Sequence, residues 1–156
     1  MRISLIVSGG QTGADRGGLD AGIALGIPIG GWCPKNRLAE DGCIPPIYPM
    51  KESTTKNYLR RTELNVVDSE ATVVFCYGPP RGGSSRTIDF AKKHNRPYLI
   101  VDLNDLITGW DDFNKFINLL GEGSVLNIAG SRESKVPGIQ KTVYDFLMRS
   151  QALKIL

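Results

Sequence analysis

The strongest constraint on the fold is an alternation of short apolar runs with segments of helical spacing. Five runs of strand length occupy residues 3–7, 27–32, 71–76, 98–101 and 125–129. Four of them are almost continuously apolar, which is typical of strands covered by helices on both faces, whereas glycines weaken the second. We therefore predict an α/β protein, a three-layer Rossmann-like sandwich with a mainly parallel central sheet of about five strands.

Helical patterns lie between and after these runs. They predict helices over residues 13–25, 55–67 and 85–95, another from Asp111 onward, and a last one over residues 137–147, which begins at Pro137 because proline suits the first helical position. Residues 33–53 carry four prolines and neither period. We expect a long ordered loop there, held by Ile44, Ile47 and Tyr48.

Composition narrows the class of protein. With 156 residues, 41% of them apolar, the chain is expected to form one domain over residues 1–156. A dispersed net charge of +3 argues against binding to a nucleic acid polymer. Cys33, Cys43 and Cys76 form no CxxC pair, so neither disulfides nor a metal site is predicted. Without a signal sequence or a membrane-spanning run, a cytoplasmic protein that contacts no membrane is expected.

The first glycine-rich turn, residues 8–15 (SGGQTGAD), joins the first predicted strand to the first helix. Backbone N–H groups and a helix N-terminus at such a junction favour phosphate or carboxylate. Thr12 and Asp15 also have capping-box spacing. The alternative is a purely structural turn. The residues expected to contact a ligand here are Gly9, Gly10, Gln11, Thr12, Gly13 and Asp15.

The second turn, residues 77–87 (YGPPRGGSSRT), also separates an apolar strand from a helix. Two arginines add positive charge, and Ser84 or Ser85 is expected to cap the helix. A solvated surface turn is the alternative. The predicted ligand contacts are Arg81, Gly82, Gly83, Ser84, Ser85 and Arg86.

The third turn, residues 127–134 (NIAGSRES), follows the fifth predicted strand and contributes Gly130, Ser131, Arg132 and Glu133. Arg132 and Glu133 can equally form a surface ion pair. Because parallel strands end at one edge of a sheet, the three turns are expected to converge. The long loop leaves the second strand at that edge, where it either covers the ligand or merely shields the sheet. Its candidate lid residues are Trp32, Lys35, Arg37, Glu40 and Asp41.

No Ser/His/Asp set can be assembled for nucleophilic catalysis. The single histidine, His94, lies in a polar helix exit. Asp89 and Glu133 are the candidate acids for general acid–base chemistry, but the sequence does not show whether either faces a ligand.

Several segments together resemble the family named for molybdenum cofactor carriers. They are residues 8–16 (SGGQTGADR), 31–35 (GWCPK), 39–42 (AEDG), 61–66 (RTELNV) and 127–134 (NIAGSRES). That family is similar to the LOG/DprA-like group of Rossmann-type nucleotide-binding proteins, in a circularly permuted arrangement. Two segments depart from these patterns: the hydrolase turn PGGxGTxxE is altered at Ser85, Arg86 and Asp89, and in the third turn Ser131 replaces an expected proline.

The resemblance implies a carrier of a phosphorylated small molecule, either a molybdopterin-type cofactor or a nucleotide. One alternative is a phosphoribohydrolase-like N-glycosidase acting on nucleoside monophosphates, with Asp89 or Glu133 as the acid. Another is a nucleotide sensor. A homo-oligomer is the expected assembly.

Overall fold

A five-stranded parallel sheet forms the centre of the computed structural model, which describes residues 2–154. Its strands are β1 (Ile3–Val7), β2 (Ile29–Gly30), β3 (Ala71–Cys76), β4 (Tyr98–Asp102) and β5 (Ser124–Gly130). They lie in the order β2-β1-β5-β3-β4, so the last strand in sequence occupies the middle of the sheet. All the pairings are parallel, and the carboxyl ends of the strands therefore meet at one edge.

Helices cover both faces of the sheet. They are α1 (Ala14–Leu25), α2 (Tyr58–Val67), α3 (Gly83–Lys93), α4 (Leu106–Asn118) and α5 (Ile139–Met148). The chain moves towards β2 after β1 and towards β4 after β3, so right-handed crossovers place α1 and α3 on opposite faces. Accordingly α1 packs against α5, and α2 packs against α3. The predicted three-layer α/β architecture is confirmed.

Three phenylalanines fill the core beside α4 and α5. Phe75 of β3, Phe113 and Phe146 are fully buried, and the ring centroid of Phe146 lies 5.1 Å from that of Phe75 and 5.6 Å from that of Phe113. Burying one such side chain contributes about 1.5–3 kcal/mol. The carbonyl of Phe75 also accepts the N–H of Ser131 at 3.3 Å, so this core fixes the start of the third turn.

The second strand is shorter than predicted. It covers only Ile29–Gly30 rather than residues 27–32, because Gly31, with φ 124°, turns the chain out of the sheet. Trp32–Cys33 then pairs in parallel with Lys51–Glu52.

Helix starts also differ from the predictions. α4 begins at Leu106 instead of Asp111, because the Asp105 carboxylate accepts the N–H of Thr108 at 3.2 Å. α5 begins at Ile139, since Gly138, with φ 90°, precedes the helix and leaves Pro137 outside it. α2 starts three residues late and α3 two residues early, at Tyr58 and Gly83.

The loop of residues 33–53 is folded onto α1. Leu38–Ala39 pairs with Gly42–Cys43 in a short antiparallel ladder, and Lys35–Arg37 forms a single 3₁₀ turn. Ile44 and Tyr48 are buried against Leu19, as expected of anchors, whereas Ile47 is 66% exposed and anchors nothing. The loop thus holds a fixed position over the first turn.

Candidate functional site

A crevice opens at the carboxyl edge of the sheet, between α2, α3 and the turns that follow β1, β3 and β5. Its lining residues are Gln11, Asp15, Tyr58, Leu59, Arg61, Thr62, Arg81, Gly83, Ser84, Thr87, Ala129, Gly130, Ser131, Arg132 and Lys135. In open α/β sheets, ligands bind in the crevice outside the carboxyl ends of the strands, at the point where the strand order reverses. All three predicted turns contribute to the crevice, together with one helix, α2, that the sequence had not placed there.

The first and third turns are in direct contact. The N–H of Ala14 donates to the Ser131 carbonyl at 3.0 Å, and the N–H of Glu133 donates to Thr12 Oγ1 at 3.2 Å. Gly13 lies between them: a Cβ at this position would be 2.4 Å from the Ser131 oxygen. The convergence of these two turns therefore depends on the absence of a side chain at Gly13.

Side chains of the protein occupy much of the first turn. The N–H groups of Gly10, Gln11 and Thr12 donate to Ser8 Oγ, Asp15 Oδ2 and Gln11 Oε1, respectively. Gly9 lies under the Arg61 guanidinium, and Gly10 under Ile44 and Met50. The predicted capping box is wrong, because the N-cap of α1 is Gly13 rather than Thr12. The hydroxyl of Thr12 donates to Glu40 instead of accepting a helix N–H.

Gln11 lines the crevice and carries a buried donor. Its Oε1 accepts the N–H groups of Thr12 at 3.1 Å and Glu40 at 2.9 Å, which fixes the orientation of the amide. The residue is only 5% exposed, and its buried Nε2 has no hydrogen-bond partner among the described residues. A buried amide donor without a partner costs free energy, so a ligand acceptor at this point would relieve that cost.

Arg61 of α2 also lines the crevice and carries a second buried donor. Its side chain is 13% exposed, and its Nε is buried without a partner in the described part of the chain. Its Nη1 lies 3.7 Å from Asp15 Oδ2. Burial raises the pKa of Asp15 above its ordinary value, against the opposing effects of Arg61 and of the N–H groups that the carboxylate accepts.

Tyr58 connects α2 with the third turn. The guanidinium carbons of Arg61 and Arg132 lie 5.6 and 5.7 Å from its ring centroid, within cation–π range. Arg81 and Lys135 add two more cations to the crevice lining, whereas Asp15 is the one carboxylate among the described residues that line the crevice. The side chains that line the crevice therefore carry an excess of positive charge.

The second turn is divided between the crevice and solvent. Arg81, Gly83 and Ser84 line the crevice, but Arg86 and Asp89 are exposed outside it. The predicted serine cap is wrong: Gly82 is the N-cap of α3, with no side-chain bond. The N–H groups of Gly83 and Ser85 find no acceptor within residues 2–154. They leave an open helix N-terminus at the crevice.

Glu133 of the third turn faces away from the crevice. Its carboxylate accepts the N–H groups of Gly138 at 2.5 Å and Gln140 at 3.1 Å, at the start of α5. Arg132 is within 3.8 Å of Glu40 and makes no ion pair with Glu133 in the described residues. Neither of the predicted catalytic acids, Asp89 and Glu133, lines the crevice.

One of the five candidate lid residues, Glu40, contacts the turns, and a second, Asp41, contacts α1 just after the first turn. Glu40 binds the first and third turns, and Asp41 makes two bonds to Arg16, at 2.6 and 2.8 Å. Arg37 instead donates to carbonyls of its own loop, at Ile44, Pro45 and Tyr48. The remaining two lie elsewhere: Trp32 donates to Asp68, and Lys35 is exposed.

Across the described residues, no group of three or more His, Cys, Asp and Glu could hold a metal ion. Cys33 and Cys76 are buried and Cys43 is exposed, and all three are free thiols. No helix in residues 2–154 is both long and apolar enough to cross a bilayer.

Comparison with known proteins identifies the family. Residues 6–151 match the circularly permutated YpsA SLOG family. The chain belongs to this family. It is also similar to the crystal structure of a "Putative molybdenum carrier protein" from Syntrophus aciditrophicus SB, with 42% sequence identity, a TM-score of 0.87, and coverage of 97% of this chain and 96% of that chain. No curated protein matches it. The resemblance drawn from the sequence segments is confirmed.

For this SLOG family member, sequence reasoning missed the contribution of α2. Arg61 was part of a family-like segment, but neither it nor Tyr58 was assigned to the site. The sequence did contain one signal for this contribution. α2 is mostly polar, but a helix in a three-layer fold must pack one of its faces against the protein. Its buried face therefore had to contain polar groups. Lys135 lies just beyond the third turn and had no such signal.

Proposed function

We propose that the crevice binds a phosphorylated small molecule and that the protein acts as its carrier. The observation that supports this best is a pair of buried donors, Gln11 Nε2 and Arg61 Nε, that have no hydrogen-bond partner among residues 2–154. Polar groups of this kind are rare in folded proteins unless a ligand or water pairs with them. Phosphate oxygens are strong acceptors and bind most strongly to such donors when one of them is charged.

The surrounding charge supports an anion over a neutral ligand. Four cationic side chains line the crevice, and the N-terminus of α3 adds its unpaired N–H groups. The family and the carrier name of the similar crystal structure favour a molybdopterin-type cofactor or a nucleotide. Both ligands join a phosphate to a heterocycle.

Mass spectrometry under native conditions tests the carrier proposal. Protein purified from its own cells should retain a phosphorylated heterocycle in a ratio of one per chain. Retention of a neutral molecule alone would contradict the proposal. So would a calorimetric titration in which the ligand-free protein binds neither nucleoside monophosphates nor inorganic phosphate.

Asp15 supports a second candidate, an N-glycosidase acting on nucleoside monophosphates. Its carboxyl lies in the crevice beside Arg61, and burial raises its pKa towards the range useful for proton transfer. Incubation with nucleoside monophosphates separates the two candidates. Released base that disappears in Asp15→Asn would establish hydrolysis, whereas unchanged nucleotide would leave the carrier role.

The two arginines of the second turn should differ in their effect on binding. Arg81→Ala is expected to weaken the affinity for a nucleoside monophosphate about tenfold or more, because a hydrogen bond to a charged group contributes about 1.5–3 kcal/mol. Arg86→Ala removes the same charge outside the crevice and serves as the matched control. Calorimetric titration measures both, and equal losses would mean that long-range charge, rather than contact, controls binding.

A further inference from the structure

The carboxylate of Glu40 is bound like a ligand between the first and third turns. It accepts the Thr12 hydroxyl, the N–H of Ser134 at 3.2 Å and the Ser134 hydroxyl at 2.6 Å. Arg132 Nη1 lies 3.8 Å away. Two hydroxyls, a backbone N–H and a guanidinium at a strand-to-helix turn form the type of donor set that binds phosphate in other proteins.

The surroundings stabilise the charged form of this carboxylate. Partial burial acts to raise the pKa of Glu40, but the bonds from Ser134 and Thr12 and the charge of Arg132 together lower it below its ordinary value. Its side chain is 19% exposed. Glu40 therefore neutralises part of the positive potential of the third turn.

This carboxylate borders the crevice through two lining residues. Arg132 faces both Glu40 and the Tyr58 ring, and Gln11 Oε1 accepts the backbone N–H of Glu40 at 2.9 Å. A ligand phosphate held by Gln11 and Arg61 would thus have a neighbouring anion position that the protein itself has filled. A second phosphate of the same ligand would have to displace the carboxylate or lie beside it.

We propose that Glu40 is a specificity-determining residue, which occupies a second anion position and makes the crevice select ligands with one phosphate over ligands with two adjacent phosphates. The proposal rests on the proposed function, because it assumes that the crevice binds phosphate. It assigns the ligand to the monophosphate class.

Removing the side chain should leave the rest of the site in place. The bond from the backbone N–H of residue 40 to Gln11 does not involve the side chain, and Asp41 still holds the loop through Arg16. Arg132 remains over the Tyr58 ring. The expected consequence of Glu40→Ala is therefore an opened anion position rather than a lost site.

Calorimetry with inorganic phosphate and pyrophosphate tests this directly. Wild type should bind pyrophosphate no more than about threefold tighter than phosphate, and Glu40→Ala should raise that preference about tenfold or more, since charged hydrogen bonds become available to the second phosphate. Glu40→Gln, which removes the charge but keeps the volume, should give a smaller gain of the same sign. If thermal denaturation shows that Glu40→Ala is unfolded, Glu40→Gln serves as the test variant.

Glu52→Ala is the matched control, because Glu52 lies in the same loop and pairs with the Asn36 N–H away from the crevice. It should keep the wild-type preference. An unchanged preference in folded Glu40 variants would overturn the proposal, as would an equal gain for both probes or a loss of phosphate binding. If phosphate binds and depends on Arg61, those outcomes reject this inference alone. If neither probe binds wild type, the proposed function fails and the inference fails with it.

Discussion

Gly13→Ala is expected to lower the free energy of unfolding by about 3–5 kcal/mol and the thermal midpoint by about 10 °C or more. Two effects combine. Gly13 has φ 86° and ψ −131°, a conformation that is essentially limited to glycine, and a Cβ there would lie 2.4 Å from the Ser131 oxygen and 2.6 Å from the Glu133 nitrogen. Relief of this overlap requires the first and third turns to separate. Phosphate binding should therefore fall together with stability.

Gly26→Ala is the control at the other end of α1. Gly26 is also left-handed, with φ 72° and ψ 19°, but nothing lies within 4 Å of an added Cβ. Its substitution should cost only the conformational penalty, about 1 kcal/mol. Chemical denaturation of both variants provides the comparison. Similar losses would show that backbone conformation alone matters and that the contact between the turns is not tight.

The arrangement of the turns could be predicted from the sequence because it follows from local patterns. Apolar runs and parallel topology place the ends of β1, β3 and β5 at one edge, whatever the side chains are. Helix boundaries were harder to predict from the sequence. Ile107 is 81% exposed, so the first turn of α4 breaks the apolar stripe, and only the Asp105 cap indicates the true start.

The donors at the site could not be predicted in the same way. The glycines of the first turn predict anion binding by its backbone N–H groups, but Ser8, Gln11 and Asp15 already accept three of those groups. The orientation of the Gln11 amide depends on the backbone N–H of Glu40, 29 residues away. Such long-range pairing determines which atoms face a ligand, and it leaves no periodic signal.

Arg61→Met should produce the largest loss of binding. If Arg61 Nε donates to a phosphate oxygen, its removal costs about 1.5–3 kcal/mol, which corresponds to about a 10- to 150-fold weaker affinity for inorganic phosphate or a nucleoside monophosphate. Arg60→Met removes the same charge from the neighbouring position of α2, where the side chain is 52% exposed and pairs only with Glu63 among the described residues. Its affinity should stay within about threefold of wild type, since surface charges act weakly.

Stability provides a second measurement for Arg61, because the variant removes the cation 3.7 Å from the buried Asp15 carboxylate. Burial already raises the pKa of Asp15 in the folded state, so the folded protein prefers the protonated form and loses stability as pH rises through that pKa. Without Arg61 the pKa of Asp15 should rise further. Arg61→Met should therefore be less stable than wild type at neutral pH, and the difference should shrink as pH falls and Asp15 becomes protonated in both proteins. Chemical denaturation at a series of pH values below neutral should show this shrinking difference in stability for Arg61→Met and no such change for Arg60→Met. A loss of affinity in Arg61→Met without this pH dependence would mean that Arg61 contacts the ligand but does not stabilise Asp15, whereas unchanged affinity would remove Arg61 from the site.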